Sequence, residues 1–229
     1  VDLVAWGQDA YFYAPAAGNA AFILPCSDWN DDKPHVIYGY AVIDSACVFT
    51  INEGTKVYIH KNSGLIVNKA GTLLVKGTKE KPVVIQGDRL EGSYENTPGQ
   101  WDRIWLSALS KNNEINYAVI KNGNVGIQVD TVDKTSGNPS LKIDNTIIQN
   151  MAAVALFTQG AEVKATNCVF ANCGQYVAAL TIGGNYNFRH CTFANYWTRT
   201  NRQTPLLVLN NYYEDIYNKI QLRSMNEAY

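Results

Sequence analysis

The sequence predicts an all-β fold, a single-stranded parallel β-helix of about seven coils of 22–28 residues with an N-terminal cap of short strands. Three observations carry this. Four segments repeat: Asn122, Asn150, Asn172 and Asn195 close them, at gaps of 28, 22 and 23 residues. A second repeat of 24 residues runs through the first half. Throughout, apolar residues alternate with period two over short runs punctuated by Gly, Asn and Lys-Asn, and no segment before Asn210 keeps a helical period for three turns.

Residues 1–37, with DAYFYAP and AAFILPCSDW, read as short strands that close the first coil, because an uncovered coil exposes unpaired edges and an apolar core. Residues 38–211 read as the β-helix itself. In its first half Ala46 to Ile51 matches Ala70 to Val75, and both copies continue into Gly-Thr and an apolar run. In its second half the column two before each Asn holds Ile120, Ile148, Phe170 and Phe193. Four before stand Ala118, Thr146, Cys168 and Cys191, and seven before stand Ile115, Ile143, Ala165 and Phe188. Bulky, small and apolar columns are what stacked coils require. Residues 212–229 read as an irregular coil or a short helix, with Ile216 and Ile220 four apart. That tail lacks the look of a finished cap, so the protein is expected to continue past Tyr229 or to pack end to end on another copy.

Composition narrows the function classes. The 229 residues are 46% hydrophobic and 17% charged, which suits one folded core. A formal net charge of -1 without any basic run gives no electrostatic basis for nucleic acid or an anionic membrane surface as partner. No stretch reaches the roughly 18 apolar residues of a membrane span. Five cysteines, with no CxxC, make neither a disulfide framework nor a zinc motif, and leave open whether any of them pair.

The coil pattern, and the stretch FTINEGTKVYIHKNSGLIVNKAGTLLVKGTKEKPVVIQGD in particular, resembles the right-handed parallel β-helix proteins of the pectin-lyase-like superfamily. It is similar to uncharacterised β-helix proteins of gut Bacteroidetes, across about residues 36–211. The resemblance implies a right-handed coil and an exported, surface-exposed protein held by a lipid anchor. It implies little about activity, since such coils support many functions.

The residues that carry chemistry divide as follows. Asn122, Asn150, Asn172 and Asn195 are expected to form a structural ladder at one turn, where Asn tolerates left-handed backbone and stacked amides bond to one another. Cys168 and Cys191 share an inward column one coil apart and are expected as buried thiols, while His190 points away from its neighbouring thiol. His35, His60 and His190 have no zinc-like spacing, so no metal site or catalytic residue is assigned. The acids and bases of the loops (Asp28, Asp31, Asp32, Asp88, Arg89, Glu91, Asp102, Arg103, Asp130, Asp133) share no column and read as dispersed, solvated charges. Trp101, Tyr196, Trp197, Arg199 and Arg202 are the candidates for glycan contact: flat rings stack on sugar faces and Arg adds directed donors. Trp105 follows the same insertion as Trp101, and its alternative place is inward, in the core.

The expected function is a non-catalytic extracellular module that binds a polysaccharide or host glycan, without a cofactor. One alternative is a polysaccharide lyase or glycoside hydrolase on the same fold, and only there does Ca²⁺ enter, to neutralise a uronate. The other is a stalk or spacer within a larger surface protein.

Overall fold

The computed structural model describes residues 9–130 and 139–228. They wind into a parallel β-solenoid of about seven turns, built from three sheets that the chain visits in rotation. Sheet 1 contains β1 (Tyr11–Tyr13), β3 (His35–Ile37), β6 (Lys56–Ile59), β9 (Val83–Gly87), β12 (Ala118–Lys121), β15 (Ile147–Met151), β18 (Val169–Cys173) and β21 (Thr192–Ala194). Sheet 2 contains β2 (Ala21–Ile23), β4 (Tyr40–Ile43), β7 (Gly64–Val67), β10 (Ile104–Leu106), β13 (Val125–Val129), β16 (Val154–Gln159), β19 (Tyr176–Thr181) and β22 (Leu207–Leu209). Sheet 3 contains β5 (Val48–Asn52), β8 (Thr72–Lys76), β11 (Asn113–Asn116), β14 (Leu141–Asp144), β17 (Glu162–Thr166), β20 (Gly184–Arg189) and β25 (Met225–Ala228). A hairpin, β23 (Tyr212–Glu214) with β24 (Ile220–Leu222), stands outside these sheets.

The columns read from the sequence are columns of the core. In sheet 1, Ile120, Ile148, Phe170 and Phe193 are successive register partners, and the same line runs back through Ile85 and Val57 to His35. In sheet 3, Ile115, Ile143, Ala165 and Phe188 pair in turn. Phe170 lies parallel to Phe193 at 5.1 Å between ring centroids. Each fully buried aliphatic side chain contributes about 1.5–3 kcal/mol, so like stacked on like along the axis is the main cohesion of the coil.

Tight corners need special backbone. Where sheet 1 turns into sheet 2, Asn122, Asn150 and Asn172 take φ of 71°, 57° and 55°. Where sheet 3 turns into sheet 1, Asn145, Asn167 and His190 do the same at 50°, 55° and 53°. Asn pays less than other side chains for the left-handed region, which explains why it punctuates the repeats. Gly77 is needed for a different reason, since a Cβ there would collide with the Tyr117 carbonyl of the next coil.

The N-terminal end is built of short strands, as the sequence predicts, and the C-terminal tail departs from the short helix that its spacing allowed. The N-terminal strands are themselves a coil: β1 and β2 pair in parallel with β3 and β4, and Trp29 bridges Ile51 in the place of the third strand. The tail is not helical. Asp215 Oδ1 accepts from the N–H groups of Tyr217 and Lys219, and Asn218 sits at φ 56°, so the chain reverses into the hairpin. The spacing of Ile216 and Ile220 that suggested a helix places one at the hairpin tip and the other in β24.

An aromatic stack roofs the first coil. His35 lies 4.3 Å from Trp29 and 5.8 Å from Tyr13, centroid to centroid, and is 3% exposed. Its Nε2 is 3.2 Å from the Asn30 carbonyl, which can only accept, so Nε2–H donates and Nδ1 accepts from the Tyr13 hydroxyl at 3.0 Å. Burial holds its pKa below the ordinary 6.5. The unfolded chain therefore binds this proton more readily, so the stabilisation is complete above pH 6.5 and is lost as pH falls towards the folded-state value. Thermal unfolding followed between about pH 7 and about pH 5 should show a falling midpoint, with a smaller fall in His35→Phe. Equal falls in both proteins would remove His35 from the explanation.

Candidate functional site

Sheet 2 positions the site. Its inward column runs Ala41, Leu65, Ile104, Ile127, Leu156, Ala178 and Leu207. One residue along, the side chains face outward: Val42, Ile66, Trp105, Gln128, Phe157, Ala179 and Val208. On this outer face six side chains from three strands and their ends form one polar network. The Tyr40 hydroxyl donates to Asp102 Oδ2 at 2.9 Å. Arg103 donates to the same carboxylate twice, Nε to Oδ2 at 2.9 Å and Nη2 to Oδ1 at 3.1 Å. Arg103 Nη1 reaches across to Gln128 Oε1. Gln128 Nε2 donates to Asp130 Oδ1 at 2.9 Å, and Trp105 Nε1 donates to Asp130 Oδ2 at 2.6 Å.

The network is partly shielded, with the Asp102 and Arg103 side chains 16% and 32% exposed. Burial, then the hydrogen bond to Asp102, pushes the Tyr40 phenol above its ordinary pKa, so it stays a donor at neutral pH. Arg103 leads from the network into a groove of about 350 Å³, whose lining includes Phe157, Gln175, Tyr176, Thr181 and Asn210. Strand-borne groups that hold each other in place present a preorganised surface.

The loop 195–206 borders this groove. Arg202 Nη1 donates to the carbonyls of Gln175, at 2.9 Å, and Pro205, at 3.4 Å, and the Thr204 hydroxyl also serves Gln175. Trp197 donates from Nε1 to Thr200 Oγ1 at 2.9 Å and packs over Gly174, where a Cβ would lie 3.1 Å from Trp197 Cζ2. Tyr196 is 80% exposed. Arg199 Nη2 donates to the Asn96 carbonyl at 3.1 Å, and Asn150 Nδ2 to Asn96 Oδ1 at 3.1 Å. The insertion between β9 and β10 thus reaches along the cylinder to the same loop. Arg202 reaches Gln175, which lines the groove, while Tyr196, Trp197 and Arg199 do not line it.

Of the two tryptophans of GQWDRIW, Trp101 does not stand where the sequence reading put it. Trp101 is fully buried, donates from Nε1 to the Lys121 carbonyl at 2.9 Å and bridges Gly123. A Cβ on Gly123 would lie 2.8 Å from its ring, so the glycine makes room for it. Trp101 is core and touches no open surface; Trp105 is the residue on the outer face. The bulge-like bridge at Trp101 shifts the alternation before β10 begins, which an alternating pattern read from the sequence does not reveal.

The carboxylates also need correcting. Asp102, Arg103 and Asp130 are not dispersed: Asp102 and Arg103 precede β10, Asp130 follows β13, and Gln128 joins the ends across a strand spacing of about 4.8 Å. The other loop charges pair locally, Arg89 with Glu91, Lys81 with Asp31, and His60 with Asp88. Asp133 lies outside the described residues. Among the described residues no three His, Cys, Asp or Glu side chains come together in a way that could hold a metal ion.

The amides of the four repeated Asn residues bond elsewhere than to one another. Asn122 donates to the Tyr94 and Glu95 carbonyls, Asn150 to Asn96, Asn172 accepts from the Tyr196 N–H, and Asn195 pairs with the Cys173 backbone. An amide chain does exist at the other corner, from Asn167 through Asn145 to Asn116 at 3.4 and 3.2 Å. Cys168, Cys173 and Cys191 are free, and burial pushes the Cys168 and Cys173 thiols up to about 12. Cys26 and Cys47 form a disulfide between adjacent coils, with Cα atoms 5.7 Å apart. Their separation of 21 residues, one coil length, was the available signal.

No family model matches the chain, and no curated protein or solved structure is significantly similar to it.

Proposed function

We propose that this chain is a non-catalytic glycan-binding module of an exported protein, and that its binding face is the outer surface of sheet 2. The observation that carries the reading is the network from Tyr40 to Trp105 leading into a groove that Phe157 and Tyr176 line. Sugars combine apolar faces, which stack on rings, with hydroxyls, which need fixed donors and acceptors, and this groove offers both. Arg202 borders it by donating to the carbonyl of Gln175, which lines it. The disulfide supports an oxidising compartment, in keeping with the exported, surface-anchored proteins that the coil sequence resembles.

A glycan array probed with the purified chain tests this. Binding should concentrate on particular oligosaccharides and fall about tenfold or more in Tyr176→Ala at an unchanged melting temperature. Uniformly blank arrays would remove the reading.

The meeting of Asp102, Arg103 and Asp130 is also what the polysaccharide lyase or hydrolase reading requires. In its favour, the two carboxylates share one face; against it, each is committed to donors of the network, and the described residues gather no carboxylate cluster for Ca²⁺. Reducing-end or unsaturated products released from array-positive polysaccharides, and abolished in Asp130→Asn, would install the enzyme reading in place of the binding one.

A further inference from the structure

The outer face of sheet 3 carries an open pocket of about 450 Å³, separate from the groove on sheet 2. Its lining is Glu162, Lys164 and Thr166 from β17 with Asn185, Asn187 and Arg189 from β20. The two strands pair in parallel, so alternate residues bring three rows of polar side chains to one face: Glu162 beside Asn185, Lys164 beside Asn187, Thr166 beside Arg189. Between them Val163, Ala165 and Tyr186 turn into the core. The pocket belongs to the face of the sheet, and β25 continues that sheet beyond β20.

No aliphatic or aromatic residue lines it, so an apolar ligand finds no partner there. What it offers is donors. Arg189 Nε donates to Asn187 Oδ1 at 3.1 Å, which holds the guanidinium over the strand and leaves Nδ2 as the free end of the amide. Among the described residues neither Nη group of Arg189, nor Asn187 Nδ2, nor the Thr166 hydroxyl has a partner. Lys164 stands one strand across and two residues along from Arg189, about 8 Å between Cα atoms, a span that two long side chains close around one ion. The acids lie to the sides. Glu162 touches Lys164 at 3.7 Å, at the end of the pocket away from Arg189. Asp144 neighbours Thr166 on the preceding coil, two strands from Arg189.

We infer that this pocket binds a tetrahedral oxyanion, sulfate or phosphate, as the free ion or as an ester on a sugar. The guanidinium serves two of its oxygens with paired donors, and Lys164 and Asn187 serve the others. A tetrahedral anion suits the site better than a carboxylate, because donors on three separate side chains surround it and a carboxylate has only two oxygens to give them. The pocket and the groove lie on different sheets, so the inference does not depend on the glycan reading.

Amide chemical shifts of the isotope-labelled chain test it, in titrations with inorganic sulfate, inorganic phosphate and the phosphate ester of glucose to about 20 mM at constant ionic strength. Free glucose is the uncharged control. The amides of β17 and β20 should shift saturably, with a Kd below about 5 mM. Arg189→Gln and Lys164→Gln should each weaken binding at least about fivefold. Glu162→Gln should tighten it, because that carboxylate competes for Lys164. Lys76→Gln, in the column of Arg189 but four coils away, should change nothing. All four side chains lie on the outer face, so folding should persist, as melting curves will check. Tighter binding of the ester than of inorganic phosphate identifies the ester as the ligand, and the reverse order identifies the free ion. Shifts that stay linear throughout, the same shifts with glucose, full affinity in Arg189→Gln, or weaker binding in Glu162→Gln would each overturn the inference.

Discussion

Trp101→Ala is expected to destabilise the protein by about 3–5 kcal/mol, among the largest effects any single substitution should have here. The ring is wholly buried, its Nε1 serves the Lys121 carbonyl, and Gly123 leaves space that only this ring fills. Removing it opens a cavity between the coils and takes a donor from the partly buried Lys121 carbonyl, and both changes act in the same direction. Chemical denaturation measures the loss. The outcome also separates a core role from a ligand role. A Trp101→Ala protein as stable as the wild type, but defective in binding, would return this residue to the surface reading that its sequence context suggested.

Loss of the Cys26–Cys47 bond ranks second. The bridge closes a loop of 21 residues, for which chain entropy gives about 3 kcal/mol. A solenoid couples each coil mainly to its neighbours, so the effect should stay local. In a Cys26→Ala, Cys47→Ala protein, amide exchange should quicken across β1 and β2, including the N–H of Leu24 that bonds the Val42 carbonyl. The Leu73 amide, held by Asn113 Oδ1 and two coils beyond β1 and β2, should stay protected. Uniform loss of protection throughout the chain would mean that the coils unfold as one unit.

What the sequence disclosed and what it withheld have a common physical cause. Stacked coils put identical columns in register, so Ile120, Ile148, Phe170 and Phe193 announce the sheet that contains them. The solenoid of parallel sheets and its approximate number of turns follow from those columns. Departures from the repeat carry no such signature. The bridge at Trp101 moves the alternation by one, and a one-residue shift exchanges inside for outside, so Trp101, read as a surface residue, lies in the core while Trp105 faces outward. The network between Asp102 and Asp130 is invisible for another reason. Its two carboxylates occupy different columns and are joined because Arg103 and Gln128 are long enough to span adjacent strands. The disulfide was legible in principle, because residues one coil apart are neighbours, but five cysteines without a framework gave that spacing no weight. Of the predicted glycan residues, Arg202 donates to the carbonyl of Gln175, which lines the groove.

The central claim is that a glycan binds on the outer face of sheet 2. Isothermal titration with an array-positive oligosaccharide tests it most directly, comparing the wild type with Phe157→Ala on that face and Lys164→Ala on the outer face of sheet 3. Phe157→Ala should weaken binding by about tenfold or more, equivalent to about 1.4 kcal/mol, and Lys164→Ala should leave it unchanged. Full affinity in Phe157→Ala, or a loss in Lys164→Ala alone, would contradict the account.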